Sequence, residues 1–226
     1  MKKALGIIMI MMLLATYLFC VSASASTEGD FTYTVYAPGE VTITSYSKYG
    51  AKNVVIPTTI EGYPVVKIGT AAFARTEITS VIFPETIISI GNEAFESCKQ
   101  LETVTMSKNI KAIGWEAFKD CAKIEKINIP QGIERIEQYC FSGCVSLKEI
   151  IIPTTLKSIA TAAFDDCDAL NTVWYLGGEN DKASITKQYN NDDMWNAIWH
   201  YNSCPIGAAH QYENDCDAEC NECGLN

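Results

Sequence analysis

Four side chains near the C-terminus have types and spacing that could hold a metal. His210, Cys216, Cys220 and Cys223 fall within 14 residues, and three thiolates with one imidazole make a Cys₃His shell suited to zinc. In an exported chain the same cysteines can instead close a disulfide knot with Cys204 as fourth partner, and a disordered end is the third reading. Four further cysteines, Cys98, Cys121, Cys144 and Cys167, recur every 23 residues. Stacked copies would lie about 5 Å apart, within disulfide reach, but parallel Cβ vectors rarely give the required torsion. Free core thiols acting as small hydrophobes are expected there, and at Cys140, which stands where sister segments carry alanine. Catalytic chemistry finds little footing. There is no Gly-x-Ser-x-Gly elbow, glycine-rich phosphate loop or His-Glu-x-x-His. His200 sits in an alternating aromatic stretch, and Asp165-Asp166 and Asn190-Asn191-Asp192-Asp193 read as solvated turns without EF-hand spacing. The chain is therefore not expected to be an enzyme.

The 226 residues include 17 Lys+Arg and 27 Asp+Glu, a net charge of −10. A surface this acidic, with no basic stripe, repels phosphate backbones, so nucleic acid is excluded as a partner. Residues 1–25 read as a secretory signal: Lys2 and Lys3, an apolar run from Ala4 to Val21, then the Ala23-Ser24-Ala25 cleavage pattern. The run is close to membrane-spanning length, but no basic stop-transfer cluster follows it. Cys20 follows the bulky Phe19, which argues against lipid anchoring. The mature chain, at −12, is expected outside the cell with no membrane attachment after cleavage.

The elements that position these side chains repeat. Phe73, Phe95, Phe118, Phe141 and Phe164 stand 22, 23, 23 and 23 residues apart. Each follows a small residue, and each from the second onward precedes a cysteine by three. An aliphatic residue follows (Leu101, Ile124, Leu147, Leu170), then a short alternating run such as Ile127-Asn128-Ile129-Pro130. Val-x-Ile alternation is strand patterning, and the proline ends the strand by removing a donor. The Gly-x-x-Ala-Phe-x-x-Cys piece predicts a short helical or 3₁₀ turn. The apolar burial available to one such unit falls short of the entropy of ordering it, so units must stack.

The pattern Cys-x-x-Leu-x-x-Val-x-Ile-Pro-x-x-Ile-x-x-Ile-Gly-x-x-Ala-Phe, carried by Cys98 to Phe118 and its copies, resembles the BspA-like (treponemal-type) bacterial leucine-rich repeats. With its flanks the resemblance covers about residues 30–203. It implies a leucine-rich-repeat solenoid: a right-handed coil with a parallel β-sheet on the concave side and short helical or 3₁₀ turns on the convex side. It also implies secreted or cell-surface proteins whose usual roles are binding and adhesion. Three departures stand out: Ser107 in place of the proline, Trp115 at a small or polar position, and the insertion Glu61-Gly62-Tyr63-Pro64. The tail resembles a short His-x-Tyr…Cys-Asp-x-x-Cys-x-x-Cys-Gly appendage of secreted clostridial-type proteins, here truncated.

The expected organisation is a signal peptide (1–25), an N-terminal hairpin cap (26–53), repeats (54–176), a C-terminal cap (177–203) and a Cys-rich tail (204–226). The hairpin follows from the alternation of Phe31, Tyr33 and Val35 up to Pro38-Gly39 and of Val41 and Ile43 after it. Inward strand positions belong to the core, so binding falls to the outward ones: Val55, Ile82, Thr105, Asn128, Ile151 and Trp174. Stacked, they would form one stripe, apolar at four places and bordered by Glu102, Thr103, Glu125, Lys126, Lys148 and Glu149. The expectation is a monomeric adhesion-type module that binds a protein or glycan there. The alternative is a structural spacer within a larger surface protein.

Overall fold

The computed structural model describes residues 25–36 and 39–202. At the N-terminal end, β1 (Ala25–Glu28), β2 (Phe31–Tyr36) and β3 (Glu40–Tyr46) form an antiparallel meander. The chain then enters the first rung through β4 (Asn53–Val55), β5 (Thr59–Ile60) and β6 (Tyr63–Ile68), and β3 pairs parallel with β6. The insertion noted in the sequence is the β5–β6 hairpin, in which Glu61 (φ 52°) and Gly62 (φ 81°) make a tight turn with both central residues left-handed.

Each later rung has a first-side strand and a two-residue second-side strand: β7 (Ser80–Ile82) and β8 (Ser89–Ile90), β9 (Thr103–Thr105) and β10 (Ala112–Ile113), β11 (Lys126–Asn128) and β12 (Arg135–Ile136), β13 (Glu149–Ile152) and β14 (Ser158–Ile159), β15 (Thr172–Tyr175) and β16 (Thr186–Lys187). A last strand, β17 (Ile198–Tyr201), joins the first side beside β15. Short helices α1 (Glu179–Lys182) and α2 (Asp192–Asn196) lie in the closing segment. The result is the expected leucine-rich-repeat solenoid, a stack of about seven parallel-strand turns with very little helix. Its first side carries the strands β4 to β17. Its second side begins three strands earlier, with β1, β2 and β3, and ends at β16, one turn short of the first.

The third side carries the short turns expected there, of the 3₁₀ type. It consists of isolated turns closed by bonds between a residue's N–H and the carbonyl three before it, such as Cys98 to Phe95 (3.1 Å) and Cys144 to Phe141 (3.1 Å), with no continuous helix. Two residues per turn explain why. Ala71, Glu93, Glu116, Tyr139 and Ala162 sit near φ 53–55°, and Arg75, Ser97, Asp120, Gly143 and Asp166 are left-handed as well. A left-handed residue interrupts a right-handed helical run. It frees backbone groups to bond across rungs instead: Phe73, Phe95, Phe118 and Phe141 donate to Ala94, Ala117, Cys140 and Ala163 at 2.8–2.9 Å.

Inside, Tyr46, Phe73, Phe95, Phe118, Phe141 and Phe164 form one column with ring centroids 4.9–5.6 Å apart, and Phe31 closes its N-terminal end at 5.2 Å from Tyr46. The repeat cysteines lie beside it. Cys98, Cys121, Cys144 and Cys167 each donate a thiol hydrogen to the phenylalanine carbonyl of the preceding rung, at 3.0–3.2 Å. All five cysteines among the described residues, Cys140 included, are buried free thiols. Ser107 replaces the proline by a hydroxyl that accepts the Asn109 N–H at 3.0 Å, a polar substitute for the ring in setting the turn.

Candidate functional site

Strand pairing places the outward residues in register. Val55 stands beside Ile82, and Ile82 beside Thr105; farther along, Asn128 stands beside Ile151, Ile151 beside Trp174, and Trp174 beside His200. The exposure of this row is uneven. Val55 is 65% and Ile82 45% exposed, Thr105 and Asn128 are half-buried, and Ile151 retains 6%. The expectation that Ile151 faces solvent therefore needs correction. It is wedged between neighbours about 4.8 Å away on either side, one of them the large indole of Trp174. Trp174 is itself closed on one face by His200, whose imidazole stacks on it at 4.2 Å and 18°. Its indole N–H is buried and finds no acceptor among the described residues.

A second outward row runs beside the first: Asn53, Ser80, Thr103, Lys126, Glu149 and Thr172. The Asn53 side-chain amide oxygen accepts hydrogen bonds from the Thr79 and Ser80 hydroxyls, each at 2.9 Å. Charges at this border neutralise one another across rungs, with Lys126–Glu149 at 3.2 Å, Lys148–Glu125 at 3.0 Å and Lys123–Glu102 at 3.2 Å. Such exposed pairs contribute about 0–1 kcal/mol each, and they leave the face without a dominant charge.

The C-terminal end shows what sequence reading missed. Asn190 to Asp193, read as a solvated turn, contains the fully buried Asn191. Its amide oxygen accepts the Phe164 N–H at 3.1 Å, and its amide nitrogen donates to the Ala160 carbonyl at 2.8 Å. Asp193 accepts the Cys167 N–H at 3.2 Å. These side chains supply the partners that the backbone of a further rung would have offered. The Asn-Asn-Asp-Asp string stands 26 to 29 residues after Phe164, out of step with the 23-residue repeat, so no spacing signal marked it. Asp165 stands close by; partial burial, then the charges of Asp166 and Asp193, push its carboxyl above the usual carboxylate value. Lys182 rests on the Trp199 ring at 3.9 Å and fastens α1 to β17.

Cys121 and Cys144 are pushed well above the ordinary thiol value, and Cys167 up to about 12, in each case chiefly by burial. A thiol held protonated is neither a nucleophile nor a metal ligand. No group of three or more His, Cys, Asp or Glu able to hold a metal occurs among the described residues. His210, Cys216, Cys220 and Cys223 lie outside them, as do residues 1–24 of the expected signal segment and the whole tail. No helix among the described residues is long and apolar enough to cross a membrane.

The family model for the BspA type leucine rich repeat region matches residues 66–181 in six copies. Among solved structures, the chain is similar to a leucine rich cell surface protein from Faecalibacterium prausnitzii, at 30% identity and a TM-score of 0.66 over 72% of this chain and 42% of that one. It is also similar to the Treponema pallidum leucine rich repeat protein, at 26% identity and a TM-score of 0.66 over 79% and 82%. A leucine-rich repeat protein from Bacteroides capillosus matches at 33% identity and a TM-score of 0.51 over 56% and 96%. The chain thus spans less than half of the Faecalibacterium protein. No curated protein matches it.

Proposed function

The chain belongs to the BspA-type leucine-rich repeat family of bacterial cell-surface type, and from that premise we propose that it is an exported, non-catalytic recognition module whose first-side strand face binds a protein or glycan. The observation that carries this reading is the register-aligned outward row with Val55 and Ile82 exposed at its N-terminal end. Exposed aliphatic side chains side by side on a rigid sheet are suited to contact, because the scaffold has already met the ordering cost. The more covered end, from Ile151 to His200, acts in this reading as a rigid flank.

The test is retention of the full mature protein on a glycan array and on a panel of purified extracellular proteins, beside Val55→Asp/Ile82→Asp. Two apolar contacts worth about 1–2 kcal/mol each predict at least a tenfold loss of affinity in the double variant. Equal retention of both proteins by every bound probe, or retention of neither by any, favours the spacer role.

A further inference from the structure

At its N-terminal end the first side stops at an open strand edge. Among the described residues β4 pairs with β7 and with no strand beyond. The bonds it makes show which way its main chain points. The Lys52 carbonyl accepts the Thr79 and Ser80 N–H groups at 2.7 and 3.3 Å, and the Ile56 N–H donates to the Ile82 carbonyl at 3.0 Å. In a parallel ladder alternate residues turn both their groups to the same neighbour. Lys52, Val54 and Ile56 therefore face β7, and the N–H and C=O groups of Asn53 and Val55 face away from it. On the second side the tiers beyond β6 hold β3, β2 and β1, so the bare edge stands at the foot of a step. A single extended strand has room there.

The side chains along this edge are distinctive as well. Val55 is the most exposed residue of the outward row. Lys52 begins a border row that continues through Thr79, Glu102, Glu125, Lys148 and Asn171. The other charges in that row are paired: Glu102 with Lys123 at 3.2 Å, and Lys148 with Glu125 of the preceding rung at 3.0 Å. Lys52 is exposed, its neighbour in the next rung is the uncharged Thr79, and among the described residues no acid lies within ion-pair distance of its side chain. Asp30 sits close by, but its carboxylate accepts the Ala51 N–H at 3.0 Å and lies 3.4 Å from the Tyr46 hydroxyl. Lys48, a second exposed cation in this segment, lies over the Tyr49 ring at 4.9 Å.

We propose that β4 is a docking edge for an extended acidic segment of a protein partner, which adds to the sheet as a further parallel strand. An acid of that segment in register with Lys52 would stand to it as Glu125 stands to Lys148. An aliphatic residue three positions later would lie against Val55. Main-chain bonds to Asn53 and Val55 give the attachment, and the two side-chain positions choose the sequence. A lysine on an open edge also repels basic strands, so it discriminates as well as attracts. The net charge of −10 opposes an acidic segment at long range, but at ~0.15 M salt it is screened beyond about 8 Å. The inference rests on the recognition reading above and narrows the partner to a polypeptide.

The probe is a short, blocked, fluorescent peptide of strand-forming residues with a glutamate and, three positions later, an isoleucine. It is titrated with the full mature protein and followed by anisotropy, and saturable binding is expected. N-methylation of the peptide main chain, which keeps its side chains, should weaken binding about tenfold or more. So should Val55→Pro, which removes an outward N–H and no bond to β7. Lys52→Glu should weaken it about fivefold and should bind better the peptide whose glutamate is replaced by lysine. If Val55→Pro does not fold, the charge swap at the exposed Lys52 and the N-methylated peptide decide. N-methylation without effect, a charge swap that restores nothing, or no saturable binding overturns the docking edge. So does slow exchange of the Asn53 and Val55 amides in the protein alone, read by NMR, because the chain's own tail or a second copy then covers β4. If the peptide fails while Val55→Asp/Ile82→Asp still abolishes retention of other probes, the edge falls and the recognition face stands.

Discussion

Raising the pH above 9 should destabilise this protein through its buried thiols. Cys121, Cys140, Cys144 and Cys167 are buried, and burial holds each thiol far above the ordinary value of 9.0, Cys167 at about 12. In the unfolded chain the same thiols ionise near 9.0. Between those values the unfolded state binds fewer protons than the folded one. The stability contributed by keeping these groups neutral is therefore fully present below about pH 9 and falls as pH rises toward 12. Each thiol costs about 1.4 kcal/mol per pH unit in that window, so at pH 10 the four together remove roughly 5–6 kcal/mol. That is a large share of the ~5–15 kcal/mol typical of a folded domain. With a urea slope of ~2 kcal/mol per molar, the midpoint should fall by roughly 2–3 M between pH 7.5 and pH 10. The assay is urea unfolding followed by tryptophan fluorescence, in reductant, at several pH values. Cys121→Ala/Cys144→Ala should halve the slope. A wild-type midpoint that stays flat through pH 10, or a double variant with an undiminished slope, refutes the reasoning.

Two other outcomes follow from packing. Phe118→Ala opens the middle of the aromatic column and should cost about 3–5 kcal/mol, read as a lower urea midpoint at pH 7.5. Asn191→Leu leaves the Phe164 N–H and Ala160 carbonyl without partners at the C-terminal end. It should cost about 2–4 kcal/mol, with exchange accelerated first in peptides covering 160–167.

The column, the strands and their register were legible because the same residue types return every 23 positions, and stacked copies must align like on like. Cys98, Cys121, Cys144 and Cys167 could be read as core thiols for the same reason. What a single repeat cannot show is its departure from its neighbours. Ile151 has the local sequence of an outward residue, and its burial comes from the size of Trp174 one rung on, a property of pairs across rungs. The left-handed Glu93, Glu116 and Tyr139 carry no residue signature, because their φ is imposed by bonds to the next turn and not by local preference. Asn191 looked like any loop asparagine until the missing rung above Phe164 gave it a role.

The two strand sides end at different heights, and this has a consequence in crowded solution. Parallel stacks are natural templates for their own growth, since the last strand of one molecule can seat the first strand of another. If a second molecule laid its β17 along β4, its β16 would arrive in the tier already filled by β2, and its β14 in the tier filled by β1. The mismatch in height works like a key that cannot enter its own lock, and among the described residues it blocks fibre growth by that route.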